Sequence, residues 1–111
     1  MNLQIESFGD VKVLRVKEGR LVYPAGTNLS AEVSALIDAG SRKLVIDLSE
    51  ISYIDSPSVG CLADIYRMMS ERSGMLKLIG LQERVEKMVS LVGLSTLVEV
   101  FREKKNAVES F

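Results

Sequence analysis

The 111-residue chain has no histidine, no tryptophan, a single cysteine and only two prolines. Without histidine, the usual zinc ligand sets and every catalytic scheme built on an imidazole base are excluded. Cys61 alone closes no intramolecular disulfide and, with no base to activate it, reads as a buried or half-buried structural thiol. An excess of positive charge is missing too. Fourteen Lys and Arg stand against fifteen Asp and Glu, a net charge of -1, so no basic stripe is available for a phosphate backbone and nucleic acid is not expected as a partner. No apolar run approaches the roughly 20 residues that span a bilayer. The stretch Met1 to Glu6 lacks the basic and apolar regions of a secretory leader. The expectation is a cytoplasmic protein without direct membrane insertion. Asp47, Asp55 and Asp64 are not at metal-ligand spacing, and no Gly-x-x-x-x-Gly-Lys loop is present. Neither metal, cofactor nor enzymatic activity is expected.

The alternation of strand and helix patterns is what the sequence does contain. Leu3 and Ile5 alternate with polar neighbours, Gly9-Asp10 supplies a turn, and Val11 to Val16 completes a hairpin. Gly19 to Tyr23 reads as a further short strand ended by Pro24-Ala25-Gly26. Thr27 is placed to cap a helix over Asn28 to Ala39, with Leu29, Val33, Leu36 and Ile37 on its apolar face and Gly40 just past its end. Lys43 to Leu48 is a short apolar run typical of an interior strand covered on both faces. Ile51, Tyr53 and Ile54 anchor a connection, and Val59, Leu62, Ala63, Tyr66 and Met69 mark a second helix terminated by Gly74. Met75 to Gly80 gives another strand, Val85 to Val92 a third helix closed by Gly93, and Leu97 to Phe101 a last strand. Lys104 to Phe111 is a weakly capped C-terminal helix. Right-handed crossovers need these helices, so the expected architecture is α/β: one domain over residues 1–111, a mostly parallel mixed sheet of roughly four to six strands with an N-terminal hairpin, packed against three or four helices.

One segment looks built for more than folding: Ile54-Asp55-Ser56-Pro57-Ser58-Val59-Gly60, at the entry to the second helix. Ser56 before Pro57 fits an N-cap followed by the first helical residue. Capping by itself accounts for that serine. The same position sits at the positive end of the helix macrodipole, where a phosphate would be stabilised, so Ser56 is equally a candidate phosphoacceptor. Asp55 has an ordinary explanation as a turn residue. Gly60 is costlier, because an interior helical glycine loses about 1 kcal/mol relative to alanine, which implies close approach of something to the backbone there.

The segment Val45-Ile46-Asp47-Leu48-Ser49-Glu50-Ile51-Ser52-Tyr53-Ile54-Asp55-Ser56 resembles the central signature of STAS domains, the module of anti-sigma factor antagonists. The likeness extends over nearly the whole chain, through the N-terminal hairpin, Gly19, the Gly74 strand start and the Val92-Gly93-Leu94 turn. It implies the STAS fold and a non-catalytic role in partner switching. The unphosphorylated antagonist binds an anti-sigma factor that is also a serine protein kinase; phosphorylation of Ser56 blocks that binding, and a PP2C-type phosphatase resets the switch. Asp55 matches the acidic neighbour of the acceptor, and Gly60 the last glycine of the motif. Pro57, Ser58 and Val59 replace the family's usual Ser or Thr, Gly and Leu, which makes Ser58 a second candidate acceptor. Val22 stands where the family commonly has an Asp. The implied docking face joins Asp55, Ser56, Pro57, Ser58, Val59 and Gly60 to the loop around Tyr23 to Thr27. The departures at Val22 and Pro57 also motivate an alternative, a non-switching assembly subunit that binds an ATPase, as in a lipid-transport ABC system.

Overall fold

The computed structural model describes residues 1–111. Leu3–Phe8 (β1) and Val11–Val16 (β2) form the antiparallel hairpin, with Phe8 opposite Val11 and Gly9 at φ +64° in the two-residue turn. Lys43–Asp47 (β4), Met75–Ile79 (β6) and Glu99–Phe101 (β7) add in parallel, giving a five-stranded mixed sheet in the order β1-β2-β4-β6-β7. Arg20–Leu21 (β3) and Tyr53–Ile54 (β5) pair in parallel as a separate ribbon. The helices are Ala25–Asp38 (α1), Ser56–Glu71 (α2), Glu83–Leu91 (α3) and Lys104–Glu109 (α4). This is the expected α/β architecture.

The sheet separates two cores of unequal size. Twenty-one buried residues, among them Leu14, Ile46 and Leu78 from the strands and Leu29, Leu62 and Val85 from α1, α2 and α3, fill one side. Val11, Val13, Val45 and Ile79 meet Ala107 of α4 on the other. The interior strand β4 therefore buries both of its faces, which explains why its sequence is a continuous apolar run rather than an alternating one. Lys77 faces the smaller core at 2% exposure. Its ammonium is satisfied there by the Ser110 hydroxyl at 2.6 Å, the Ser110 carbonyl at 3.2 Å and Glu99 at 3.2 Å, beneath the Phe111 ring at 4.4 Å.

Several boundaries differ from the sequence expectation for local reasons. Helix α1 starts at Ala25, not Asn28: Pro24 occupies the cap position, and the Thr27 hydroxyl donates back to the Pro24 carbonyl at 2.6 Å instead of capping. Helix α2 ends at Glu71, before Gly74, and Ser73 carries the positive φ of 58° that reverses the chain. Strand β7 is limited to Glu99–Phe101, because Leu94–Thr96 winds into a short 3₁₀ turn and leaves Leu97 exposed.

The connection from β4 to α2 crosses the C-terminal ends of the strands. Gly80, at φ +72°, lies under it so closely that a Cβ there would stand 2.8 Å from Cβ of Ser49. The Ser49 N–H donates to Asp47 at 2.9 Å, and the Gln82 amide donates to the Ser49 carbonyl at 2.9 Å. The Ser52 N–H reaches the Gly19 carbonyl at 2.8 Å, and the Asp55 N–H the Leu21 carbonyl at 3.2 Å. These bonds fix where α2 begins.

Candidate functional site at the start of the second helix

Asp55, not Ser56, is the N-cap of α2. Its backbone is extended (φ -89°, ψ 165°), and its carboxylate accepts from the Ser58 N–H at 3.0 Å. Ser56 is the first helical residue, with Pro57 inside the first turn where no N–H is required. The capping explanation for Ser56 is therefore removed: another residue caps the helix, and Ser56 is solvent-exposed at its tip.

The second carboxylate oxygen of Asp55 accepts from the Tyr23 N–H at 2.9 Å. One side chain thus ties the loop before α1 to the start of α2, joining residues 32 positions apart in the chain. Tyr23, 63% exposed, stands beside this junction with Thr27, which is also exposed. The Asp55 carboxyl is held below its ordinary 3.8, first by Ser58 and then by the Tyr23 N–H. The Ser58 hydroxyl acts on the carboxylate by proximity, without meeting the geometry of a hydrogen bond.

The other positions divide by exposure. Pro57 and Gly60 lie on the surface with Ser56, whereas Val59 belongs to the main core and Ser58 is fully buried. Burial takes the Ser58 hydroxyl out of an enzyme's reach in this conformation, so Ser58 is not an accessible acceptor beside Ser56. Gly60 faces open space. A Cβ there would meet nothing within 4 Å, so no part of the chain requires the glycine. The close approach occurs at Gly26, where a Cβ would lie 2.8 Å from the Cys61 sulfur and 3.5 Å from Cα of Ser58. Gly26 lets α1 seat against the first turns of α2, and half-buried Cys61 is the residue it seats on. Sequence reading missed this contact because a glycine just after Pro24 looks like part of a turn. It also missed the bridge to Tyr23, although Asp55 followed three residues later by Ser58 is the spacing of an N-cap and its N3 partner.

A family model described as the STAS domain matches residues 2–107. The chain belongs to the STAS domain family. Among its relatives, a Thermotoga maritima protein provisionally named an anti-sigma factor antagonist is 30% identical over 73 residues, 66% of this chain and 65% of that protein's length. The anti-sigma-B factor antagonist of Staphylococcus aureus is 26% identical over 101 residues, covering 90% of this chain and 94% of the relative. A solved Thermotoga maritima structure of the same provisional name superposes with a TM-score of 0.88 at 25% identity, covering 96% of this STAS chain and 92% of the other. The unphosphorylated form of the anti-sigma factor antagonist SpoIIAA shares the fold, with a TM-score of 0.83, 22% identity and coverages of 97% and 94%. No helix of the chain is long and apolar enough to cross a membrane.

Proposed function

We propose that residues 1–111 act as a single, non-catalytic, cytoplasmic STAS unit of the anti-sigma factor antagonist type, switched by phosphorylation of Ser56. The observation that carries this reading is the division of labour at the start of α2, where Asp55 caps the helix and leaves the neighbouring hydroxyl exposed. The names of the relatives support the same role and lend none to the lipid-transport alternative. Unphosphorylated, the surface of Ser56, Pro57 and Gly60, with Tyr23 and Thr27 beside it, docks an anti-sigma factor that is also a serine kinase. Asp55, Ser58 and Val59 shape that surface from beneath or within it. A phosphate on Ser56 adds about -1.5 to -2 charge at the docking face, next to the Asp55 carboxylate, and must be desolvated if the partner is to seat. A PP2C-type phosphatase restores the binding form.

The test uses the purified chain with a candidate anti-sigma kinase and ATP. One phosphate is expected on the wild type and none on Ser56→Ala, by intact mass and peptide mapping. Ser56→Asp is expected to weaken the complex. Phosphorylation of Ser56→Ala at the wild-type rate would defeat the assignment.

A further inference from the structure

The two edges of the main sheet are finished differently. On β1, Glu6 holds the Lys104 ammonium at 3.1 Å, and that ammonium lies 5.2 Å from the centre of the Phe8 ring, so charge guards the edge. On β7, at the other edge, the one ionisable residue is Glu99, and it is drawn to Lys77 on the side of the smaller core. The Gly80 N–H donates to the Phe101 carbonyl at 3.1 Å, which turns Phe101 toward β6. Successive residues of a strand alternate, so the N–H and C=O of Val100 point outward, away from β6. Beside this edge, between β7 and α3, runs a groove whose apolar lining is Leu81, Leu91, Val100 and Phe101. Leu91 is 80% exposed, and Val92, Leu97 and Val100 are exposed with it. Exposed apolar side chains are therefore concentrated along the edge that carries no guard.

We propose that this edge and groove form a homodimer interface, in which a second copy of the chain pairs its β7 antiparallel to the first about a two-fold axis at Val100. The outward N–H and C=O of each Val100 then meet those of the other, and the pair exchanges both hydrogen bonds. This register sets Glu99 opposite Phe101 of the other copy, so like charges do not face each other across the ladder. The charged residues of the groove are Glu83, Glu86, Lys87 and Arg102, two of each sign. Such a face meets its own copy without net repulsion, whereas a groove of single sign would repel it. The pairing covers Leu91 and Val100 and joins two five-stranded sheets into one. None of the groove residues belongs to the Ser56 surface, so a dimer presents two such surfaces and the proposal stands whether or not Ser56 accepts phosphate.

A strand this short buries a small area, so the expected dimer is weak, with a Kd of about 0.1 mM. Sedimentation equilibrium of the purified chain between about 0.01 and 1 mM measures it. Val100→Pro removes the outward N–H, which β6 does not use, and should raise Kd by about tenfold or more through the loss of two symmetric hydrogen bonds. Leu91→Arg leaves the backbone intact and should raise Kd by a similar factor, because it places two cations in the covered face. Circular dichroism and thermal unfolding establish that each variant is folded, and Leu91→Arg decides alone if Val100→Pro is not. On dilution, amide NMR shifts should move at Leu91 and Val100 and stay fixed at Ile5 and Ser56. A chain that remains monomeric at about 1 mM overturns the proposal. So does a folded Leu91→Arg that dimerises as tightly as wild type, or a dimer whose shifts move at Ile5 instead.

Discussion

The contact between Gly26 and Cys61 makes a sharp prediction about stability. In Gly26→Ala, the new methyl would lie 2.8 Å from the Cys61 sulfur and 3.0 Å from its Cβ, both carried by α2. Ordinary contact between such atoms is about 3.5–4.0 Å, so α1 and α2 must part by close to 1 Å or Cys61 must rotate out of place. Overpacking of this kind costs about 1–3 kcal/mol. Against it stands the helix-propensity gain of alanine over glycine, up to about 1 kcal/mol and smaller in a first turn. Gly26 does not have a positive φ, so no backbone strain enters. The net expectation is destabilisation by about 1–2 kcal/mol, a fall in Tm of roughly 5–10 °C for a chain of this size. Combining Gly26→Ala with Cys61→Ala removes the sulfur but leaves its Cβ at 3.0 Å, so about half the loss should return. Thermal and urea unfolding of the two single variants and the double variant measure all of these terms. A Gly26→Ala protein as stable as wild type would refute the argument, because the helices would then have room that the structure denies them.

Two further perturbations probe charge. Lys77→Met keeps the stem packed under Phe111 and removes a buried ammonium together with its desolvation cost, so urea unfolding should show a change within about 1 kcal/mol. Lys77→Ala, which leaves a cavity, should lose about 2 kcal/mol or more in the same assay. For Asp55 the expected effect is on pH dependence. Its folded-state pKa lies below the ordinary 3.8, so the unfolded chain binds the proton more readily and stability increases with pH through that window. The contribution is fully present at neutral pH and is lost as the pH falls below 3.8 and through the folded value. Asp55→Asn should flatten this part of the acid limb in unfolding experiments from pH 2 to 6, whereas an unaltered limb would show that the carboxylate does not favour the folded state.

Element order was readable because each helix shows its apolar face at helical spacing and β4 its two-sided burial as an unbroken apolar run. Leu29, Val33 and Ile37 on α1, and Leu44, Val45 and Ile46 on β4, all lie in the core. Helix ends were less legible, since they depend on geometry that composition does not determine. Ser-Pro signals a helix start equally well with Ser or the preceding Asp as cap, and the decision comes from Asp55 being held by Leu21 and Tyr23, residues far upstream. The same limitation hid Lys77. In an isolated strand pattern a lysine between two leucines reads as a solvent-facing alternation, and only α4 folding back converts it into a buried group. Ser56 was legible as a position but not as a role, for what frees its hydroxyl is the occupation of the cap by its neighbour.

The placement of α4 has a practical consequence for measuring any of this. Phe111 lines a small pocket together with Arg42, Lys43 and Met75, where β4 and β6 begin, while Ser56 sits beyond the ends at which those strands finish. The full length of the sheet therefore stands between them. A tether or fluorophore fixed after Phe111 would hang from the pole opposite the Ser56 surface. Surface-immobilised and fluorescence experiments attached there would leave that surface unobstructed, whereas an attachment on the Tyr23 loop would place the probe inside the face it is meant to report on.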